Sequence, residues 1–226
     1  MRLAVLFSGG KDSTYAAYTM MQMGHHLAAL VSVVPSDEHS WVFHVPNLEY
    51  LPLMAEAMGL PLLTEASTGE ENSDLEALRK VLSGLDIDGV VTGAIASDYQ
   101  WDRINQVCEG LGLRTFSPLW RKDQDMLMED MIMSGIRSIP VRVSCEGMDV
   151  SWLGRELDHA ALEALRVLSR RYGMNLSGEG GEYETLVLDS PLHRARLSLL
   201  DVRKEMSRDE GSLLIGGMEL EAKDAS

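Results

Sequence analysis

An α/β fold, built as a doubly wound parallel sheet followed by a smaller α+β C-terminal domain, is predicted by three observations. Strand-like apolar runs alternate with helix-like segments up to Pro118, the pattern of parallel strands joined by right-handed crossovers. A glycine-rich turn, Ser8-Gly9-Gly10-Lys11-Asp12-Ser13, joins the first run to the first helix. After Pro118-Leu119-Trp120 the regular alternation stops and longer strand-like segments collect towards the end of the chain. The expected domains are residues 1–120 and 121–226.

The elements follow in order. Leu3 to Phe7 is the first strand, and the helix after it runs from Asp12 to Met23 with Gly24 as its C′ residue, a position that favours glycine because the backbone turns left-handed there. Leu27 to Val34 is a second, buried strand ended by Pro35. Asn47 is placed to cap a helix through Met58, closed by Gly59, and Pro61 to Glu65 is a short third strand. Ser73 caps a helix from Asp74 to about Ser83, with Glu76 at the capping-box position. Gly89 to Gly93 is the fourth strand, a helix runs from about Tyr99 to Glu109, and Leu113 to Phe116 is the fifth strand, stopped by Ser117-Pro118. In the second domain Asp123 to Ser134 reads as a Met-rich helix closed by Gly135, and Ile136 to Ser144 as a strand interrupted by Pro140. A strongly amphipathic helix runs from about Asp158 to Tyr172, closed by Gly173. Thr185 to Leu188, Arg194 to Lys204 and Ser212 to Glu219 are strand-like, with a hairpin break near Asp209-Glu210-Gly211.

At 226 residues the chain has ample core to fold unaided. Its 35 acidic residues against 20 basic ones leave a net charge of −15, a field that repels polyanions, so no nucleic-acid partner is expected. No apolar run approaches the ~20 residues of a membrane span. Leu3 to Phe7 is too short for a signal peptide and runs straight into the glycine turn. No membrane partner and a cytoplasmic location are therefore expected. Cys108 and Cys145, in no C-x-x-C pair, fit a reducing compartment. The methionines of Met20-Met21-Gln22-Met23 and of Met126 to Met133 read as core filler. Oligomeric state is left open, a homo-oligomer included.

Three constellations carry chemistry. In Ser8–Ser13, Gly9 and Gly10 let the backbone approach an anion closely, and the helix behind them aims its free N–H groups and positive dipole end at that anion. Lys11 adds a point charge, and Ser8 and Ser13 add hydroxyls. The spacing is neither G-x-x-x-x-G-K-[ST] nor G-x-G-x-x-G. An ordinary glycine turn is the alternative, and six specified residues between a strand and a helix argue against it. The second constellation is Gly93-Ala94-Ile95-Ala96-Ser97-Asp98-Tyr99-Gln100, with Arg103 behind it. Gly93 and Ala94 permit close approach of a base or ribose, Asp98 suits Mg²⁺ or a substrate amine, and Arg103 suits a phosphate or carboxylate. A Ser or Asp helix cap with a solvated arginine is an equal alternative. The third, Gly178-Glu179-Gly180-Gly181-Glu182-Tyr183-Glu184-Thr185, crowds carboxylates whose repulsion a bound cation or ammonium would relieve; a solvated acidic loop is its alternative. Ligands of doubly wound sheets sit beyond the carboxyl ends of the strands, where the first two constellations fall. Cys108 reads as a packing residue, and Trp152-Leu153-Gly154-Arg155 has no physical reading from sequence.

The Ser8–Ser13 turn resembles the PP-loop of the ATP pyrophosphatases, which split ATP into AMP and pyrophosphate. Together with Ser40–Asn47, Ser97-Asp98-Tyr99-Gln100, Pro118-Leu119-Trp120, Trp152-Leu153-Gly154-Arg155 and Gly178–Thr185, in that order, it makes the whole chain similar to the diphthine–ammonia ligase family. The chain is similar to the short archaeal form, since eukaryotic members carry extra C-terminal domains. Trp41 and Val42 stand where Tyr and Met are expected. The resemblance implies a PP-loop, HUP-like nucleotide-binding domain that uses ATP and Mg²⁺, with ammonium and elongation factor 2 as the other substrates. The diphthine carboxylate would attack the α-phosphorus of ATP, and ammonia would then displace AMP from the acyl adenylate. Ser8, Gly9, Gly10, Lys11, Asp12 and Ser13 would hold the nucleotide with His44, Gly93 and Ala94, and Asp12 and Asp98 would contact the metal. Ser97, Tyr99, Gln100, Arg103, Glu179, Gly180, Gly181 and Tyr183 would bind substrate, with Lys11, Asp12, Asp98, Glu182 and Glu184 as catalytic groups. Three alternatives stand beside this: amidation of another carboxylate, action on tRNA, and a nonenzymatic adenine-nucleotide-binding module. The net charge speaks against tRNA, and the third constellation against a mere sensor.

Overall fold

A computed structural model describes residues 1–35, 47–68, 70–208 and 210–223. The chain divides into two compact units, Met1–Ser8 with Asp12–Trp120, and Gly9–Lys11 with Arg121–Ser226. Among the described residues no helix is long and apolar enough to cross a membrane.

The first unit is a five-stranded, all-parallel sheet of β1 (Arg2–Leu6), β2 (His26–Pro35), β3 (Leu62–Ser67), β4 (Gly89–Val91) and β5 (Arg114–Phe116), in the order β3-β2-β1-β4-β5. Helices α1 (Lys11–Gln22), α2 (Leu51–Met58), α3 (Glu71–Ser83) and α4 (Asp98–Gly110) make the crossovers. The chain steps one way across the sheet through β1, β2 and β3, then reverses to β4 and β5, so right-handed connections put α1 and α2 on one face and α3 and α4 on the other. Packing follows from that. Ala4 and Leu6 of β1, Val31 and Val33 of β2 and Val90 of β4 join Leu78, Leu82, Ile104 and Val107 of α3 and α4 in one core. Leu3 and Val5, which alternate with Ala4 and Leu6, are also fully buried on the opposite face. Cys108 lies in the α3–α4 core, where burial pushes its thiol pKa up.

Two helix starts differ from expectation. Helix α3 begins at Glu71, ahead of the predicted Ser73 cap. Ser73 instead accepts a hydrogen bond from the Thr68 amide (2.9 Å), and the buried Asp74 accepts one from the Ser67 hydroxyl (2.6 Å). The two side chains satisfy the β3–α3 loop, which lets the helix start earlier. Asn47 has φ 60° and caps nothing with its side chain; a 3-10 turn, Leu48–Tyr50, precedes α2. The methionines split: Met20, Met128 and Met131 are buried, while Met21, Met23, Met126 and Met133 are exposed.

The second unit is an antiparallel sheet in the order β7-β6-β9-β8, from β6 (Arg137–Val143), β7 (Tyr183–Asp189), β8 (Ala195–Met206) and β9 (Gly211–Ala222), with α5 (Gln124–Met133) and α6 (His159–Tyr172). Asp123 and Asp158 cap α5 and α6 through side-chain acceptors. Pro140 has no N–H to give, and the β6–β7 register shifts between Pro140 and Arg142. Trp152-Leu153-Gly154-Arg155 gains its reading here. β9 pairs with β6 only at Arg142 and Val143. The remaining edge of β6 is covered by Gly154, whose N–H donates to the Pro140 carbonyl (2.9 Å), and by Leu157, whose N–H donates to that of Ser138 (2.8 Å). Leu153 is completely buried beneath that edge, a burial worth about 1.5–3 kcal/mol.

Candidate active site

Between β1 and β4 the strand order reverses, and in sheets of this kind the crevice beyond the carboxyl ends at such a point is where ligands bind. Ser8–Ser13 follows β1 and Gly93–Gln100 follows β4, so the topology sets the first two constellations side by side. Gly93 shows how closely. A Cβ at that position would lie 2.7 Å from the Ser13 nitrogen and 2.8 Å from the Asp12 carbonyl carbon. Only glycine lets the strand end press against the first turn of α1 at that distance. Ala94 is buried beside it, its N–H donating to the Thr92 hydroxyl (3.2 Å).

The turn itself is ordered by its own hydroxyls. The Ser8 amide donates to Ser13 Oγ (3.3 Å), and the two hydroxyls lie 3.2 Å apart. Gly9 takes φ 76°, and Asp12 supplies a carboxylate in the first turn of α1.

At the head of α4, Ser97 is the cap and accepts from the Gln100 amide (3.3 Å), which gives both residues a local structural duty. Asp98 is exposed in the first helical turn. Arg103 pairs with Glu71 of α3 and lies over the Tyr99 ring at 4.7 Å. The Tyr99 phenol and the Arg103 guanidinium together hold the Glu71 carboxyl below its usual range, and the bond to Glu71 raises the phenol in turn. The structure thus gives Arg103 a carboxylate partner within the protein. Sequence reasoning missed Glu71, which sits 32 positions away in an unremarkable helix start.

In the second unit Gly9–Lys11 lies against the outer edge of β7. Val187 N–H donates to the Gly9 carbonyl (2.9 Å), and Lys11 N–H donates to Thr185 Oγ1 (3.1 Å). The Lys11 side chain is 3% exposed, its ammonium donating to the Ser177 carbonyl (2.5 Å) and lying 5.2 Å from the Tyr183 ring centroid. Tyr183 is itself buried and donates its hydroxyl to the Leu176 carbonyl (2.5 Å). Its ring is a partner for Lys11.

The carboxylates of the third constellation are engaged as well. Glu182 Oε1 accepts from the amide and side chain of Asn175 (2.7 and 2.8 Å), and Oε2 accepts from Gly180 N–H (2.8 Å). Glu184 pairs with Arg142 (3.3 Å), which also holds Glu210. The Gly181 carbonyl accepts from the Ser144 hydroxyl (2.5 Å), and Glu179 lies half-buried in the same loop. A side chain at Gly178, φ 74°, would strike the Tyr183 carbonyl at 2.8 Å. Hydrogen bonds, more than solvent, relieve the crowding of these charges. Glu182→Ala should therefore lower unfolding stability by about 2 kcal/mol, the worth of hydrogen bonds to a half-buried charged group, while Glu182→Gln, which keeps one acceptor oxygen, should lose about half of that. An unchanged denaturant midpoint for the alanine variant would remove the loop-closing role.

Among the described residues no group of three or more His, Cys, Asp and Glu could hold a metal by itself. Asp12 and Asp98, the two carboxylates expected to contact Mg²⁺, stand in the first turns of α1 and α4; that ion commonly takes one or two carboxylates and completes its shell with phosphate oxygens and water. His44 lies outside the described residues.

Comparison with known proteins agrees along the chain. A family model described as the diphthamide synthase N-terminal domain matches residues 1–115, and one described as the C-terminal domain matches residues 123–220. The diphthine–ammonia ligase of Danio rerio is 34% identical, covering 96% of this chain and 93% of that protein. That of Mus musculus is 38% identical over 87% of this chain and 82% of its own length. The ligase of Schizosaccharomyces pombe is 37% identical over 89% of this chain, which spans only 36% of that longer protein; the expectation that eukaryotic members carry extra domains thus fits the yeast protein and fails for the Danio rerio and Mus musculus proteins, which this chain covers to 93% and 82%. A parallel sheet carrying a Ser-Gly-Gly-Lys-Asp-Ser turn, an antiparallel second unit and matches to both domain models lead to one conclusion: this chain belongs to the diphthamide synthase family.

Proposed function

We propose that the protein is a carbon–nitrogen ligase that amidates the diphthine carboxylate of elongation factor 2 with ammonia, converting ATP to AMP and pyrophosphate. The observation that carries this reading is the match, over nearly the full length of both partners, to a diphthine–ammonia ligase.

The chain's own groups suit the chemistry. The carboxylate oxygen bonds to the α-phosphorus and the bond to the pyrophosphate oxygen breaks, so charge builds on the leaving group. The amides of α1 behind Lys11, whose own N–H is taken by Thr185, and the Lys11 ammonium meet that charge in a preorganised array, where each donor is typically worth about 3–4 kcal/mol. Asp12 and Asp98 would hold Mg²⁺, which would supply further neutralisation of the phosphates. Ammonia then adds to the activated carbonyl, AMP leaves, and a proton passes to a base. Glu184 shares Arg142 with Glu210, and Glu179 and Glu182 provide the negative field that draws ammonium or the trimethylammonium of diphthine. Ser97, Tyr99 and Gln100 flank the carboxylate substrate at the head of α4.

The test is pyrophosphate release with ATP, ammonium and diphthine-bearing elongation factor 2, each omitted in turn. Release should need all three. ATP turnover indifferent to both ammonium and the factor would overturn the reading.

A further inference from the structure

We propose that Thr185 is a positioning residue for ATP cleavage, its hydroxyl holding the first residue of α1 so that the glycine turn keeps the shape a triphosphate needs. This rests on the ATP-cleaving reading above and adds to it a residue outside the phosphate-binding turn.

β7 is an edge strand of the second sheet, with β6 on one side only. An edge strand presents unpaired backbone groups at alternate residues. Here the edge is used. Val187 N–H donates to the Gly9 carbonyl and Thr185 Oγ1 accepts from Lys11 N–H, so residues two apart on β7 grip residues two apart on the turn. Gly10 is the residue between the two anchors. Glycine has the widest conformational range of any residue, and two adjacent glycines would otherwise leave the turn free to sample many shapes. Ordering one residue's backbone costs about 1–2 kcal/mol, so a turn tied down in advance spares the nucleotide that cost.

Thr185 is 8% exposed, and its partner Lys11 is 3% exposed. Burial keeps water from replacing the bond. A third anchor holds the far end of the lysine: its ammonium donates to the Ser177 carbonyl, and Ser177 is fixed by its amide and hydroxyl, both within 3.1 Å of Gln124 Oε1 at the start of α5. The second unit thus grips Gly9–Lys11 at a carbonyl, an amide and an ammonium. Of the three, the bond to Thr185 is the one that a side-chain substitution removes cleanly.

Thr185→Val keeps the shape and packing of the side chain and deletes the acceptor; Thr185→Ser keeps the acceptor and deletes a methyl group. The assay is steady-state AMP formation against ATP concentration, with the unfolding midpoint of each variant measured in parallel. Thr185→Val should raise KM for ATP about tenfold, the factor that corresponds to one lost hydrogen bond, with kcat changed less than KM. Thr185→Ser should stay within about twofold of the parent in KM even though it gives up more packing. A purely structural role would produce the reverse order, with serine the worse variant. Thr185→Val within twofold of the parent, or Thr185→Ser as impaired as Thr185→Val, would overturn the positioning role. A parent protein that makes no AMP would overturn the ATP reading and this proposal together, so the two failures are told apart by the parent alone.

Discussion

Lys11→Met is expected to lower kcat/KM for ATP by about 10²–10³-fold, the usual cost of losing one preorganised donor from a site where charge develops. Lys11 follows the two glycines and opens α1, yet its side chain is almost wholly buried, with the Ser177 carbonyl and the Tyr183 ring as neighbours. A cation withdrawn from water has its field weakly screened, so its effect on a leaving pyrophosphate is larger than that of a surface lysine. Methionine reproduces the length and apolar stem and removes the charge together with its N–H donors. It leaves the Ser177 carbonyl without its donor, at a cost of about 1–3 kcal/mol in stability, which a protein of this size tolerates. Lys11→Arg should not restore activity: the charge returns, but a planar fork does not fit a niche shaped for a point donor between a carbonyl and a ring. Single-turnover AMP formation, with circular dichroism to verify folding, measures both variants. Turnover of Lys11→Met within about threefold of the parent would show that the lysine serves the fold alone.

The parts legible in the sequence are those whose cause is local. Period and punctuation suffice to place five parallel strands, because a buried strand, a capped helix and a glycine stop each leave a signature within about a dozen residues. Ser8–Ser13 was legible for the same reason: strand, turn and helix start are contiguous. What escaped is what long-range partners decide. Nothing near Arg103 announces that Glu71 will pair with it from 32 positions away, and nothing near Glu184 announces Arg142, 42 positions away. Three carboxylates among glycines look like a cation site when charge alone is counted. Once hydrogen bonds are counted they also look like a loop that closes itself. Thr185 and Lys11 stand 174 positions apart, and no window of sequence spans that distance. Trp152-Leu153-Gly154-Arg155 is the same case in reverse, since its sense depends on an edge of β6 that β9 leaves uncovered.

Gly93→Ala is expected to damage both stability and nucleotide affinity, and for one reason. Most glycines at strand ends tolerate a methyl group because it meets solvent or the tip of a flexible side chain. At Gly93 the added carbon meets main chain: the Ser13 nitrogen at 2.7 Å, with the Asp12 carbonyl carbon and oxygen close behind. Neither can rotate away, so β4 and α1 must part by several tenths of an ångström or more. Overpacking of this sort costs typically about 1–3 kcal/mol, or some 2–12 °C in unfolding temperature at the 2–4 °C per kcal/mol of a chain this long. The displaced atoms belong to the first turn of α1, where Asp12 and Ser13 would meet the phosphates and the Ser8–Ser13 hydroxyl pair orders the turn. Affinity for ATP should therefore fall by more than tenfold even at temperatures where the variant is fully folded. Gly84, around which a Cβ meets nothing within 4 Å, is the control, and Gly84→Ala should leave ATP affinity unchanged. Equilibrium binding of ATP well below the melting transition separates the two effects. A Gly93→Ala protein that melts early but binds ATP normally would mean that the β4–α1 contact supports the sheet without shaping the phosphate turn.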